Sequence, residues 1–136
     1  MQITAQLRNT ATTHDVRVST AGRATPMAVA GRVGGGSAVN GGELLMLALA
    51  TCYCNDLYRE AARLQIELTA VEVEASAEFD GVGLAARDIR YRARIESPAA
   101  PAQVEQLLRE TDAVAEVHNS LRAGVAVQRV DWALSG

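Results

Sequence analysis

Apolar and polar positions alternate at the start of the chain. Ile3, Ala5 and Leu7 fall on one face of residues 2–8, with Gln2, Thr4, Gln6 and Arg8 on the other, the pattern of a half-buried strand. Residues 14–20 repeat it, with Val16 and Val18 inward and Arg17 and Ser19 outward, and a third short strand is expected over Thr25–Ala30. The period changes at Asn40. Leu44 to Ala50 is apolar at every position, and a helix that is hydrophobic all round is a buried one. Further on the stretch turns amphipathic, with Asp56, Arg59, Glu60 and Arg63 polar against Leu57, Ala61 and Leu64. Asn40 is placed to cap, and Glu43, three residues on, holds the capping-box position. Residues 40–66 therefore read as one long central helix, preceded by the glycines Gly34, Gly35 and Gly36. These suit a flexible connection that lets the helix start pack closely.

Alternation returns beyond the helix. Val71, Val73, Ala75, Ala77 and Phe79 interleave with Glu72, Glu74, Ser76 and Glu78; after Asp80-Gly81-Val82-Gly83, Ile89, Tyr91, Ala93 and Ile95 interleave with Arg90, Arg92 and Arg94. Two such runs joined by a glycine-bearing loop make an antiparallel hairpin. Its arginine stripe faces its glutamates, and opposite charges across a strand pair stabilise by roughly 0.2–1 kcal/mol each. Pro98 and Pro101 introduce a helix with Val104, Leu107 and Leu108 on its apolar side. Asp112 is placed to cap another over Ala113–Arg122, ending at Gly124. A last strand is expected over Val125–Trp132. The order gives an α+β fold, antiparallel sheets around a long buried central helix, as a single domain over residues 1–136.

Composition narrows the function. Net charge is −3 and aromatic residues make up 4% of the chain, so the basic surface and stacking platforms of a nucleic-acid binder are missing. All thirteen basic residues are arginine, which excludes Schiff-base chemistry on lysine. The longest apolar run falls far short of the roughly 18 residues of a membrane span, and the first residues lack the apolar core of a signal peptide. A cytoplasmic protein is expected. The glycines before the helix match no nucleotide-binding fingerprint.

Cys52 and Cys54 are the only cysteines, both on the central helix. Two residues apart, they point about 200° away from each other, so a bridge between them would require local unwinding. With no histidine nearby in sequence they make a poor zinc site. Either both are small buried hydrophobes, or one faces a pocket as a reactive thiol.

The stretch Gly34–Arg63, with VNGGELLMLALATC at its centre, resembles the OsmC/Ohr family of osmotically inducible and organic hydroperoxide resistance proteins. Glu43, Leu44, Leu45, Ala48, Leu49, Ala50 and Cys52 match its first signature, and AEVHNSLRAGVAV, Ala115–Val127, is similar to its second. The resemblance implies an OsmC-like intertwined homodimer with sites at the subunit interface. There a peroxidatic cysteine, here Cys52, reduces an organic hydroperoxide with electrons from an external thiol reductant, using no metal and no cofactor. It also implies an arginine from the first strands, with Arg8 the preferred match and Arg17 or Arg23 as alternatives.

The sequence departs from the family at two positions. The resolving cysteine would fall at Ala115, and a helpful glutamate of the hydroperoxide-resistance branch would fall at Gly42. Glu43 remains, as catalytic group or as helix cap. Cys54 and His118 are candidates for the pocket, His118 either helping to ionise Cys52 or standing at the surface or interface. The expected activity is thiol-dependent hydroperoxide reduction. The alternatives are a catalytically silent dimer of the same fold that binds a small apolar ligand, and a purely structural dimer.

Overall fold

In the computed structural model, which describes residues 1–132, the chain falls into two compact units, the first Met1–Leu45 and the second beginning at Met46. The first unit holds a three-stranded antiparallel sheet of β1 (Ile3–Asn9), β2 (His14–Thr20) and β3 (Arg23–Thr25), in that order. The β1–β2 register runs from Ile3 opposite Thr20 to Asn9 opposite His14. β3 lies earlier than the expected Thr25–Ala30: it stops before Pro26, which has no N–H to give a ladder. The alternation in β1 is present but its apolar side is open, with Ile3 67% and Leu7 57% exposed. A three-stranded sheet has no second layer of its own, so the period alone does not bury it. The glycine loop is tied down where a flexible connection was expected. Gly36 N–H donates to Asn9 Oδ1 at 2.8 Å and Asn9 Nδ2 donates back to Gly36 O at 3.2 Å, with Gly34, Gly35 and Gly36 all at positive φ.

The helix α1 spans Gly41–Arg63. At its start Glu43 N–H donates to Asn40 Oδ1 at 2.7 Å and Asn40 N–H to Glu43 Oε1 at 3.0 Å, a complete capping box. Burial follows one line, Leu49, Tyr53, Asp56, Leu57, Glu60 and Ala61, the i, i+3, i+4 spacing of a single helix face. Leu44 and Leu47 stay 36% and 56% exposed. The helix is thus not buried all round: Leu44 and Leu47 lie off the line that the core covers.

The second unit continues with β4 (Ala70–Glu78), β5 (Arg87–Glu96), α2 (Pro101–Val114) and α3 (Glu116–Ala123). Tyr53, Leu57, Ala61, Ile66, Leu107 and Ala115 form its core, and Val71, Val73, Tyr91, Ala93 and Ile95 pack on it from the hairpin's inner face. On the outer face the register sets Glu72 opposite Arg94, Glu74 opposite Arg92 and Ser76 opposite Arg90. Arg94 pairs with Glu72, and Arg92 with Glu74 at 3.1 Å, as the charge pattern implied.

The break between the last two helices falls at Ala115, not at Asp112. Asp112 lies inside α2 and receives hydrogen bonds from Tyr91 Oη and, at 2.7 Å, from Arg122 Nη2. Those tertiary partners outweigh its capping preference. Gly124 ends α3 in the left-handed conformation, φ 62°, as expected. Residues 125–131, where the last strand is expected, form no strand: neither sheet includes them. Among the described residues, no helix is long and apolar enough to cross a membrane.

Candidate functional site

Cys52 is half-buried on α1, packed against the core that includes Ala115. One turn on, the same helix face carries Asp56, and Cys52 Sγ donates to Asp56 Oδ2 at 3.7 Å. The start of α3 adds Glu116. Cys52 Sγ and one carboxylate oxygen each from Asp56 and Glu116 lie within 4.8 Å of one another. Arg59, a further turn along, lies beside both acids, its Nη1 3.0 Å from Asp56 Oδ1 and 3.7 Å from Glu116 Oε1. A thiolate with two carboxylates is a donor set for a divalent cation, but here the guanidinium already supplies positive charge to both carboxylates.

Burial pushes the Cys52 thiol above its ordinary pKa; the N–H of Val117 pulls it down, while Asp56 and Glu116 add to the rise. Burial likewise raises the Asp56 carboxyl, helped by Glu116 and opposed by Arg59. Within this unit the charges that act on Cys52 are therefore acidic. The thiol is held as S–H against a carboxylate with raised proton affinity.

His118 is not a surface group of this unit. It is buried, 4% exposed, with its ring 4.5 Å from that of Tyr91 and 5.8 Å from that of Tyr53. Burial, then Arg122, lowers its pKa below the ordinary histidine value, so the imidazole is neutral at pH 7 and brings no positive charge. Tyr53 is anchored by its hydroxyl, which donates to Leu108 O at 2.7 Å. Cys54 lines a separate shallow hollow with Ala50, Thr51, Asn55 and Val73. The two thiols thus have different surroundings, as their helical spacing required.

The remaining candidates belong to the first unit. Arg8 is exposed on β1 across from Asp15, Arg17 faces Gln6 and Arg23 faces Thr20. Glu43 is engaged in the capping box. Sequence reasoning did not assign Asp56, Arg59 or Glu116 to the site. The i+4 and i+7 spacing of Asp56 and Arg59 from Cys52 was the available signal; Glu116 comes from another helix and had none.

A thiol on this helix, in an α+β fold of two antiparallel sheets, defines a class that comparison with known proteins makes specific. The family model for OsmC-like proteins matches residues 34–129. The chain belongs to the OsmC family. Among solved structures it is similar to an OsmC-like protein from Mycoplasma pneumoniae, at 18% identity and TM-score 0.57 over 89% of this chain and 86% of that one. It is similar also to an organic hydroperoxide resistance protein OsmC from Legionella pneumophila, at 17% identity and TM-score 0.58 over 94% of each chain. An OsmC-like hydroperoxide resistance protein from a Jannaschia species aligns at 14% identity and TM-score 0.54, over 93% of this chain and 87% of that one. At such identities these likenesses show the fold. A comparison of the sequence with curated proteins yields no match.

Proposed function

We propose that this protein reduces organic hydroperoxides through Cys52, with electrons from an external thiol. The observation that carries the reading is the contact of Cys52 Sγ with Asp56 Oδ2 at 3.7 Å, in a chain of the OsmC family whose similar structures include hydroperoxide resistance proteins. Asp56, with its raised proton affinity, takes the thiol proton as the sulfur attacks the peroxide oxygen. The O–O bond breaks, the sulfur becomes a sulfenic acid, and the departing alkoxide takes the proton from Asp56 and leaves as alcohol. One external thiol condenses with the sulfenic acid, releasing water and leaving a mixed disulfide. A second displaces Cys52 and departs as the oxidised disulfide. The thiol that resolves the sulfenic acid is external because position 115, where the family's resolving cysteine would fall, is a buried alanine.

Two intertwined copies in the cytoplasm complete the reading. The exposed Leu44 and Leu47 on α1 support the second copy, since exposed apolar patches mark interaction surfaces, and two cysteines set too close on one helix to bridge are not the disulfide framework of a secreted domain. In the dimer Arg8 is our choice for the substrate-side arginine, with Glu43 near the helix start.

The raised thiol favours a second reading, a catalytically silent dimer that holds a small apolar ligand. Consumption of t-butyl hydroperoxide with dithiothreitol separates the two. Wild type and Cys54→Ser are expected to turn over, and Cys52→Ser to lose at least a hundredfold. Equal rates in wild type and Cys52→Ser would refute the peroxidase reading.

A further inference from the structure

Asp56 is buried, 5% exposed, and a carboxylate in that position stands only with partners. Its two oxygens are divided between two of them. Oδ2 accepts from Cys52 Sγ at 3.7 Å, and Oδ1 lies 3.0 Å from Arg59 Nη1. The steps from 52 to 56 and from 56 to 59 keep all three residues on one face of α1. The helix itself therefore sets the order thiol, carboxylate, guanidinium.

Arg59 is half exposed, yet it is held by two further acids. Its Nε lies 3.6 Å from Glu60 Oε2 and its Nη1 3.7 Å from Glu116 Oε1. Ion pairs at such exposure contribute little to stability, so these contacts hold the guanidinium in place more than they hold the fold. The charged and titratable groups around Asp56 are Cys52, Arg59 and, through Arg59, Glu60 on α1, with Glu116 on α3. Burial and Glu116 push the proton affinity of Asp56 up, and Arg59 is the charge that pulls it down.

We infer that Arg59 is a positioning residue for Cys52: it pins Oδ1 of Asp56 and balances the carboxylate's charge, so that Oδ2 stays open to the thiol proton. For its effect on turnover the inference rests on the hydroperoxide reading. A base oriented by a third group is the general arrangement behind an activated nucleophile. When the proton moves from Sγ to Oδ2, Oδ1 keeps its contact with Nη1. The new carboxyl then stays aimed at the sulfur until the departing alkoxide takes that proton. Without Arg59, burial and Glu116 leave Asp56 already protonated over more of the pH range, and a protonated Asp56 accepts nothing from Cys52.

The test follows the Asp56 carboxyl carbon by NMR through a pH titration, alongside t-butyl hydroperoxide turnover with dithiothreitol over the same range. Arg59→Gln is expected to move the Asp56 midpoint to higher pH, and Glu116→Gln, which removes the opposing acid, to lower pH. Both positions are exposed, and loosened packing would not give shifts of opposite sign. Each pH unit by which Asp56 rises costs about tenfold in turnover on the acid limb. The Arg59→Gln deficit should therefore be largest at low pH and close as pH rises. Arg59→Lys, which keeps the charge, should restore both midpoint and turnover. An unmoved midpoint in Arg59→Gln would overturn the inference. So would a turnover deficit equal at every pH, or a lysine variant no better than the glutamine one. If wild type consumes no hydroperoxide, the proposed function fails and the midpoints alone decide: shifts of the stated signs uphold the hold of Arg59 on Asp56, and their absence overturns it.

Discussion

Two neighbouring regions of the second unit carry opposite electrical character on shared scaffolding. Around Cys52 stand Asp56 and Glu116, with Arg59 spanning the two acids. Around His118 stand Tyr53, Tyr91 and the walls of a cavity edged by Arg90 and Arg122. Both take one residue group from α1 and another from α3: Cys52 and Asp56 meet Glu116 on one side, while Leu49 and Tyr53 meet His118 on the other. One helix thus lines two different environments. Small steps around its circumference move a side chain from an acidic cluster to an aromatic one. A protonated thiol among carboxylates suits an uncharged oxidant; a neutral imidazole sealed among tyrosine rings keeps the other side free of charge.

The largest effect should come from the floor under both regions. Leu57 is fully buried in the core that includes Tyr53 and packs against Cys52. Leu57→Ala should cost about 3 kcal/mol in urea unfolding and disturb both regions together. Damage confined to one of them would show that the two do not share a foundation.

The next effect isolates the acidic side. Iodoacetamide labelling of Cys52 should climb from pH 7 to above pH 9, because its thiol titrates above the ordinary range. Asp56→Asn removes one of the causes, and each pK unit by which the thiol falls gives about tenfold more thiolate at pH 7. Labelling should therefore quicken while hydroperoxide turnover drops, since the proton acceptor is gone. If both rates rise together, Asp56 only suppresses the thiol and takes no proton.

The hairpin was fully legible in the sequence, because its period-two alternation and its charges agreed: Glu72 and Glu74 do meet Arg94 and Arg92. The capping box of Asn40 and Glu43 was equally plain, being a local device. Val125, Val127 and Val130 have the β-branched character of a strand, but residue type cannot say whether a ladder is waiting for them. Asp112 was read as a helix cap since its residue type fits one; its hydrogen bonds with Tyr91 and Arg122 are tertiary and leave no local trace. At the candidate site, the choice of Cys52 comes from its position in the signature. Its acidic neighbour Glu116 and the burial of His118 depend on how α3 packs, which no spacing along the chain encodes.

A smaller effect sharpens the aromatic side. Burial lowers the His118 pKa, so the folded state takes up its proton at lower pH than the unfolded chain does. The stability involved is present above the unfolded value of roughly 6.5 and drains away as pH falls towards the folded one. Asp112, held low first by the Tyr91 hydrogen bond, contributes with the same sign in a more acidic window. Melting temperature in wild type should decline below about pH 6.5, and His118→Phe should lose that first decline while keeping the acid-side one. Identical profiles would place the titration elsewhere. The smallest effect belongs to the paired arginines: Arg92→Gln or Arg94→Gln should change stability by no more than about 1 kcal/mol, as exposed ion pairs do.

Cys52 is the thiol expected to meet peroxide. The direct measurement is to treat the protein with t-butyl hydroperoxide in the absence of reductant, trap sulfenic acid with dimedone, and map the adduct by mass spectrometry. The expected result is an adduct on Cys52 and none on Cys54, with longer exposure giving sulfinic acid at Cys52, since Ala115 offers no thiol to form an internal bridge. An adduct on Cys54 in place of Cys52, or peroxide consumed while Cys52 stays unmodified, would contradict it.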